Sequence, residues 1–472
     1  MQIHYGTLEL NTVSTDAVVL LVTAAHLDGP KTDFEKQVYG AARTQKFSAK
    51  PGEVAAFPTF GLISAPHVFL IGTGNDDHLR RAAGAAGYKA RELGLKSLAI
   101  FGAPEGDNAA EIIATGLAAG NYRFDKYRAS KDRKAKLETV HIAGTANSGA
   151  QRGLKLAEAR NLTRDLVNAP PAEVYPESLA AVCEALASDT LTVTIWDADK
   201  IKSEGMGGIT AVGQGSSNPA RFVHMHYKPK GNARKSIALV GKGVTFDAGG
   251  LSIKSSGGMQ TMRCDMAGAG AVVGAMKAVS LLQPDVEVHG IIGCVENMCG
   301  ANSYKLGDIL DMYNGKQVEI HNTDAEGRLV MADCLTYGDK LGADAIVDLA
   351  TLTGACVVAL GDYYSGLFTN AEQVAGGLSS AAAVSGEGLW RMPLPDFYKP
   401  MLKAEWGHFK NVGGRAAGSI TAALFLSEFV EQTPWAHIDI AGPAFLDKTF
   451  RHLTCGGTGA MVETLYRWIE SK

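Results

Sequence analysis

Apolar and polar positions along this chain alternate in short blocks, and block length separates strands from helices. Apolar runs at 17–23, 68–72, 98–102 and 139–144 have the length of buried strands. Between them, 77–93 and 108–121 repeat apolar residues at helical spacing. This alternation predicts a small α/β domain over residues 1–150. The Gly72, Thr73, Gly74 turn after the second strand could cradle an anion, but a plain strand-to-helix turn is the simpler reading. Segment 126–136 is rich in Lys and Arg, with Tyr127 as its only aromatic residue, so it reads as a solvated connection. A long helical pattern at 150–168 is stopped by Pro170 and Pro171, and 151–171 is expected to connect two domains.

From residue 172 the alternation resumes. Strands are expected at 191–196, 222–227, 237–240, 286–294, 345–349 and 436–441. Helices are expected at 177–187, 266–283, 329–341, 372–384, 417–431 and 458–471. Strands separated by helices imply a mostly parallel sheet covered on both faces. The fold expected is therefore α/β: a small N-terminal domain and a larger C-terminal domain, 172–472, around a mostly parallel central sheet. Length alone would have suggested about three domains.

Composition narrows the partners. A net charge of -4 favours neither nucleic acid nor an anionic membrane surface. The seven cysteines are scattered and odd in number, which suits reduced thiols in a cytoplasmic protein. Cys294 and Cys299 lack zinc-knuckle spacing. No basic-then-apolar leader opens the chain, and the uncharged apolar stretch 349–361 is too short to span a bilayer.

Three stretches carry candidate chemistry. The first is HNTDAEGRL at 321–329, just before an expected helix. Asp324 and Glu326 stand two apart, so an extended or tightly turned backbone puts both carboxylates on one side. Two such anions repel unless something strongly positive lies between them, and a metal ion would serve; a solvated surface pair is the plainer alternative. The second places Lys242, Asp247 and Lys254 in a glycine-rich loop at the end of the 237–240 strand, where open α/β sheets hold their sites. It lacks the last glycine of a dinucleotide loop and the ending of a phosphate loop. The third acid, Asp265, precedes the small-residue helix at 266–283 and by itself reads as a capping acid. His321 reads as structural.

Together these stretches resemble the leucyl aminopeptidase family of hexameric dinuclear metallopeptidases. The octapeptide NTDAEGRL at 322–329 is that family's signature. VGKGVTFDAGG at 240–250, MRCD at 262–265, DLVNAPP at 165–171, ATLTGA at 350–355 and NVGGR at 411–415 match as well, and the likeness covers roughly 155–472. It implies five metal ligands: Asp247 and Glu326 bridging two divalent ions, Lys242 and Asp265 completing one shell, Asp324 the other. The ions would be Mn²⁺ or Zn²⁺, with Mg²⁺ a third candidate, since carboxylate-rich sites accept all three.

The resemblance further implies an enzyme cutting the N-terminal residue from peptides with a free α-amine, through a metal-bridging hydroxide. Lys254 would stabilise the oxyanion. Arg328, with Gly327 and Leu352, would hold a bicarbonate ion that shuttles the proton. Met262, Thr351 and Gly354 would line an apolar side-chain pocket suited to Leu and Met. Ala460 stands where the family often has a larger or basic residue, which bears on pocket width or subunit contacts. A cytoplasmic homohexamer is expected, with an N-terminal domain that helps assembly. Two other readings stay open: a DNA-binding architectural protein, against which the acidic balance speaks, and a noncatalytic binding module, against which the intact ligand set speaks.

Overall fold

The computed structural model describes residues 1–73, 78–145 and 148–472. Gly74 of the first turn and residue 77, the expected start of a helix, lie outside the described residues. The chain divides into two compact units: Met1–Asn161 with Asp447–Cys455, and Leu162–Leu446 with Gly456–Lys472. A single cut near 150 or 171 does not describe this division. The helix Gly149–Asn168 runs through the boundary, and a late segment belongs to the first unit.

The first unit is built on a six-stranded sheet among the described residues: β1 (Gln2–Gly6), β2 (Ala17–Val22), β3 (Val54–Pro58), β4 (His67–Gly72), β5 (Ser97–Phe101) and β6 (Thr139–Ala143). Spatial order is β1-β6-β5-β2-β4-β3, and every pair is parallel except β3 with β4. β2 reads AVVLLV and is buried throughout. Val19 and Leu21 pack toward the helices Leu79–Leu93 and Asp107–Asn121; Val18, Leu20 and Val22 pack toward Asp33–Thr44. A strand covered on both faces loses the polar half of its alternation, so it reads as a continuous apolar run. The pattern passed over β1 and β3, which are edge strands, and the helix Asp33–Thr44. That helix carries a capping box: Thr32 accepts from the Glu35 amide and Glu35 from the Thr32 amide, both at 3.1 Å.

The second unit holds an eight-stranded sheet among the described residues. Its strands are β7 (Leu191–Trp196), β8 (Arg221–Tyr227), β9 (Ser236–Asp247) and β10 (Glu287–Asn297). After the short β11 (Ile309–Asp311) and β12 (Gln317–Glu319) come β13 (Ala345–Ala350), β14 (Tyr364–Phe368), β15 (Gly388–Arg391), the two-residue β16 (Phe409–Lys410) and β17 (Trp435–Asp439). The order is β15-β14-β17-β13-β9-β10-β8-β7. The central strands β17, β13, β9 and β10 are mutually parallel, while β8 and β7 are antiparallel additions at one edge. β11, β12 and β16 form a small separate sheet that leads into the 321–329 loop.

Helical residues 256–282 are long and apolar enough to cross a membrane, yet 78% of their apolar window is buried within the protein. The part Ala267–Leu282 is a core helix packed on the central strands β9, β10 and β13.

Candidate functional site

The strand expected at 237–240 runs on to Asp247, so Lys242 and Asp247 lie on β9 rather than in a loop. Five residues apart on a regular strand, they would face opposite sides of the sheet. A bulge corrects this. Val244 pairs with Val295 but Phe246 pairs with Glu296, so Thr245 is an extra residue in β9. Lys242 then pairs with Gly293 and Asp247 with Asn297, two positions on the same face of β10. Glu326 immediately precedes the helix Gly327–Lys340, which starts two residues earlier than the periodicity indicated.

The result is a buried cluster. Asp247, Asp265 and Glu326 each bring one oxygen within 4.8 Å of the others. Lys242 Nζ lies 2.8 Å from Asp265 and 2.9 Å from Glu326, and donates to the Thr351 carbonyl at 3.0 Å. Lys254 Nζ lies 2.8 Å from Asp247 and 2.5 Å from Asp324. Asp324 sits at the rim, with 31% of its side chain exposed, whereas Glu326 is only 2% exposed. Asp265 is not the capping acid its sequence context suggested. Met266 holds the N-cap position of the helix Ala267–Leu282, and Asp265 instead turns into the cluster.

Four carboxylates face two ammonium groups. Asp265 Oδ2 and Glu326 Oε2 are buried with no hydrogen-bond partner. Unpaired buried carboxylate oxygens are costly, and cations relieve that cost. Burial, then Glu326, pushes Asp247 up to about 6 against the pull of Lys254 and Lys242. Burial likewise raises Asp265 and Asp324. Glu326 is held below the usual carboxylate range, because Lys242 and Lys254 outweigh its burial. Burial alone would lower Lys242, but Asp265, Glu326 and Asp247 keep it firmly protonated. Lys254 behaves the same way: burial is outweighed, chiefly by Asp247. The oxygen-rich set with one amine suits hard or borderline divalent ions.

The remaining expected residues take varied places. Gly327 is required by a close approach: a Cβ there would lie 2.4 Å from Lys242 Cε. Arg328 is buried, donates to the Asn411 carbonyl at 2.7 Å, and keeps an unpartnered Nε; burial lowers it to about 10. The Leu352 amide is engaged by Asp439 at 3.2 Å. Thr351 is buried, and its hydroxyl donates to Asp265 at 2.7 Å. Met262 is half-buried, Gly354 is exposed, and Ala460 is buried. His321 pairs with Glu319 at 2.8 Å, outside the cluster.

Sequence reasoning missed the supports. Asn297 is fully buried and donates to both Asp247 and the Thr323 carbonyl, at 2.8 and 3.0 Å. Thr323 donates to the Gly249 carbonyl and Asn411 to the Asn322 carbonyl, which fastens the 321–329 loop. Polar residues ending the apolar run of β10 were the available signal.

A second group lies at the opposite end of β10. His226, Glu287 and His289 also bring ligand atoms within 4.8 Å of one another. Burial, then the neighbouring histidines, lowers His224 to about 3; burial, then His226 and Lys228, lowers His289 to about 4.

The sequence matches the family model described as "Cytosol aminopeptidase family, catalytic domain" over residues 161–466, and its N-terminal domain counterpart over 20–131. It is 43% identical over 440 residues to a probable cytosol aminopeptidase of Aquifex aeolicus, covering 91% of this chain and 89% of the relative. A probable cytosol aminopeptidase of Nostoc punctiforme is 44% identical over 418 residues, covering 85% and 84%. A solved tomato leucine aminopeptidase variant superposes with a TM-score of 0.90 at 32% identity, covering 100% of this chain and 97% of that one. The bottromycin maturation enzyme BotP in complex with Mn gives a TM-score of 0.87 at 34% identity, covering 97% and 99%. With a catalytic-domain match across most of its length and relatives above 40% identity, this chain belongs to the cytosol aminopeptidase family and is an aminopeptidase.

Proposed function

We propose that the enzyme is metal-dependent and releases the N-terminal residue, preferably Leu, Met or another apolar residue, from peptides with a free α-amine. The observation that carries this is the convergence of Asp247, Asp265 and Glu326 with unpartnered buried oxygens. Those three, with Lys242 and Asp324, would hold two divalent ions: Mn²⁺, Zn²⁺ or Mg²⁺. Bound there, such ions would supply Lewis acidity for the scissile carbonyl and acidify water.

The chain's own groups do the rest. Lys242 must give up its proton to act as a ligand, which nearby cations favour by like-charge repulsion. Lys254 stays protonated. An ammonium has three donors, and Asp247 and Asp324 engage two, so one remains for the developing oxyanion. Arg328 Nε, with Gly327 and Leu352 alongside, would hold a bicarbonate ion for proton transfer. Met262, Thr351 and Gly354 would line the pocket for the leaving residue. We also infer a homohexamer acting in the cytoplasm; all seven cysteines are free, as a reducing compartment requires.

Hydrolysis of leucine p-nitroanilide tests the reading. Chelation should abolish it, Mn²⁺ should restore it, and the N-acetylated substrate should resist. Chelator-resistant cleavage, or equal cleavage of the acetylated substrate, would overturn it.

A further inference from the structure

We propose that His226, Glu287 and His289 form a further divalent-metal site, one for Zn²⁺ or another late transition ion that prefers imidazole. It lies in the same unit as the acid–lysine cluster but at the other end of β10. Glu287 and Asn297 stand ten positions apart along the strand, on the order of 30 Å.

Sheet register builds the site. His226 on β8 and His289 on β10 are direct cross-strand partners, so their side chains stand side by side on one face. Their rings stack with centroids 4.2 Å apart, and each has a ring nitrogen within 4.8 Å of a Glu287 oxygen. His226 Nε2 lies 2.6 Å from Glu287 Oε1. Glu287 reaches the same face because it is two residues before His289.

A second layer of contacts then orients His289. Its Nδ1 lies 3.0 Å from His224 Nε2, and His224 Nδ1 lies 3.1 Å from the Tyr337 hydroxyl. With Nδ1 engaged by that chain, Nε2 of His289 is the nitrogen left to bind. Metal-ligating histidines commonly have their second nitrogen held in this way, which fixes tautomer and ring orientation. His289 is 7% exposed, whereas the His226 and Glu287 side chains are 22% and 28% exposed, so an ion has a path in. The positive charge of Lys228 also acts on His289. Two imidazoles and one carboxylate are three protein ligands, and water completes a tetrahedral zinc shell. Imidazole donors favour zinc, copper and nickel over manganese and magnesium, the reverse of the oxygen-rich cluster. An ion here would tie β8 to β10.

The test uses the full-length protein, stripped by chelation and equilibrated with Zn²⁺ alone. Metal content per chain is compared among the wild type, His226→Ala and Glu287→Gln. The wild type should retain one more Zn²⁺ per chain than either variant, and Mn²⁺ should give no such difference. Cobalt(II) should produce a visible ligand-field band in the wild type that His226→Ala lacks. Equal Zn²⁺ content and identical cobalt spectra would overturn the proposal and leave a hydrogen-bonded stack of rings only. Both substitutions lie at the partly exposed rim, and matching circular dichroism verifies the fold; a well-folded single variant suffices for the comparison. Because the readout is a difference between variants, it stands whether or not the acid–lysine cluster binds metal.

Discussion

The two ends of β10 present opposite solutions to the same problem of burying polar groups. At the carboxyl end, the acids Asp247, Asp265 and Glu326 crowd together, and two lysines are drawn in to hold them. At the amino end, His224 and His289 stay neutral and satisfy one another through a chain that ends on Tyr337. The first arrangement still has unpartnered oxygens and asks for more positive charge. Opposite charges attract strongly in a dry site, but desolvation consumes most of that gain, so a buried ionic cluster is weak evidence for stability. It is better evidence for a ligand. The imidazole end can remain folded with or without an ion.

Substitutions should separate the two ends. The largest effect is expected for Glu326→Ala. Hydrolysis of leucine p-nitroanilide should fall more than about 100-fold, beyond the loss typical of groups that merely support a ligand. Urea unfolding of the metal-free variant should show a loss below about 3 kcal/mol, because Lys242 keeps Asp265 as a partner and the repulsion of Glu326 on Asp247 and Asp265 is relieved. Full activity would break the assignment of chemistry to this end. Lys254→Ala should lower kcat by about 10²–10³-fold with little change in KM, the signature of a group that acts on the transition state. A change confined to KM would instead make Lys254 a binding residue.

Asn297→Ala should cost about 10–100-fold in activity or Mn²⁺ affinity, since Asn297 only orients Asp247 and the Thr323 carbonyl. Gly327→Ala should destabilise by about 1–3 kcal/mol in thermal unfolding, because its Cβ collides with Lys242. Activity should drop with weakened metal uptake and recover partly at high Mn²⁺. The smallest effect on catalysis is expected for His226→Ala, whose kcat with Mn²⁺ should equal that of the wild type. A large loss there would show that the two ends are coupled.

The residue types of the acid–lysine site were legible because motif residues are local in sequence. Asp324 and Glu326 advertise themselves two apart, and Lys242 and Asp247 stand out in a nearly uncharged stretch. Asp265 was harder. Its sequence neighbours suggest a cap, and only Lys242 and Thr351, far away in the chain, reveal what it touches. Asn297 and Asn411 gave weak signals, because a buried amide holding a loop looks like any polar residue at a strand end. The helix Asp33–Thr44 was readable from its Thr32 and Glu35 cap and was passed over. The edge strand β1 (QIHYG) lacks the continuous apolar run of strands with two covered faces, whereas β3 (VAAFP) is apolar throughout but short and ended by Pro58, which marks an edge.

Hydrophobic periodicity and the 322–329 octapeptide therefore specify the α/β architecture and the kind of chemistry, because both are written in short windows of residues. Which side chains meet is another matter. The unpaired Thr245 turns Lys242 and Asp247 onto one face, and the pairing of His226 with His289 sets two distant imidazoles against each other. A one-residue change of register moves a side chain to the other face of its sheet. Register is set by packing between strands that are remote in the chain, so it emerges only when the whole sheet is assembled.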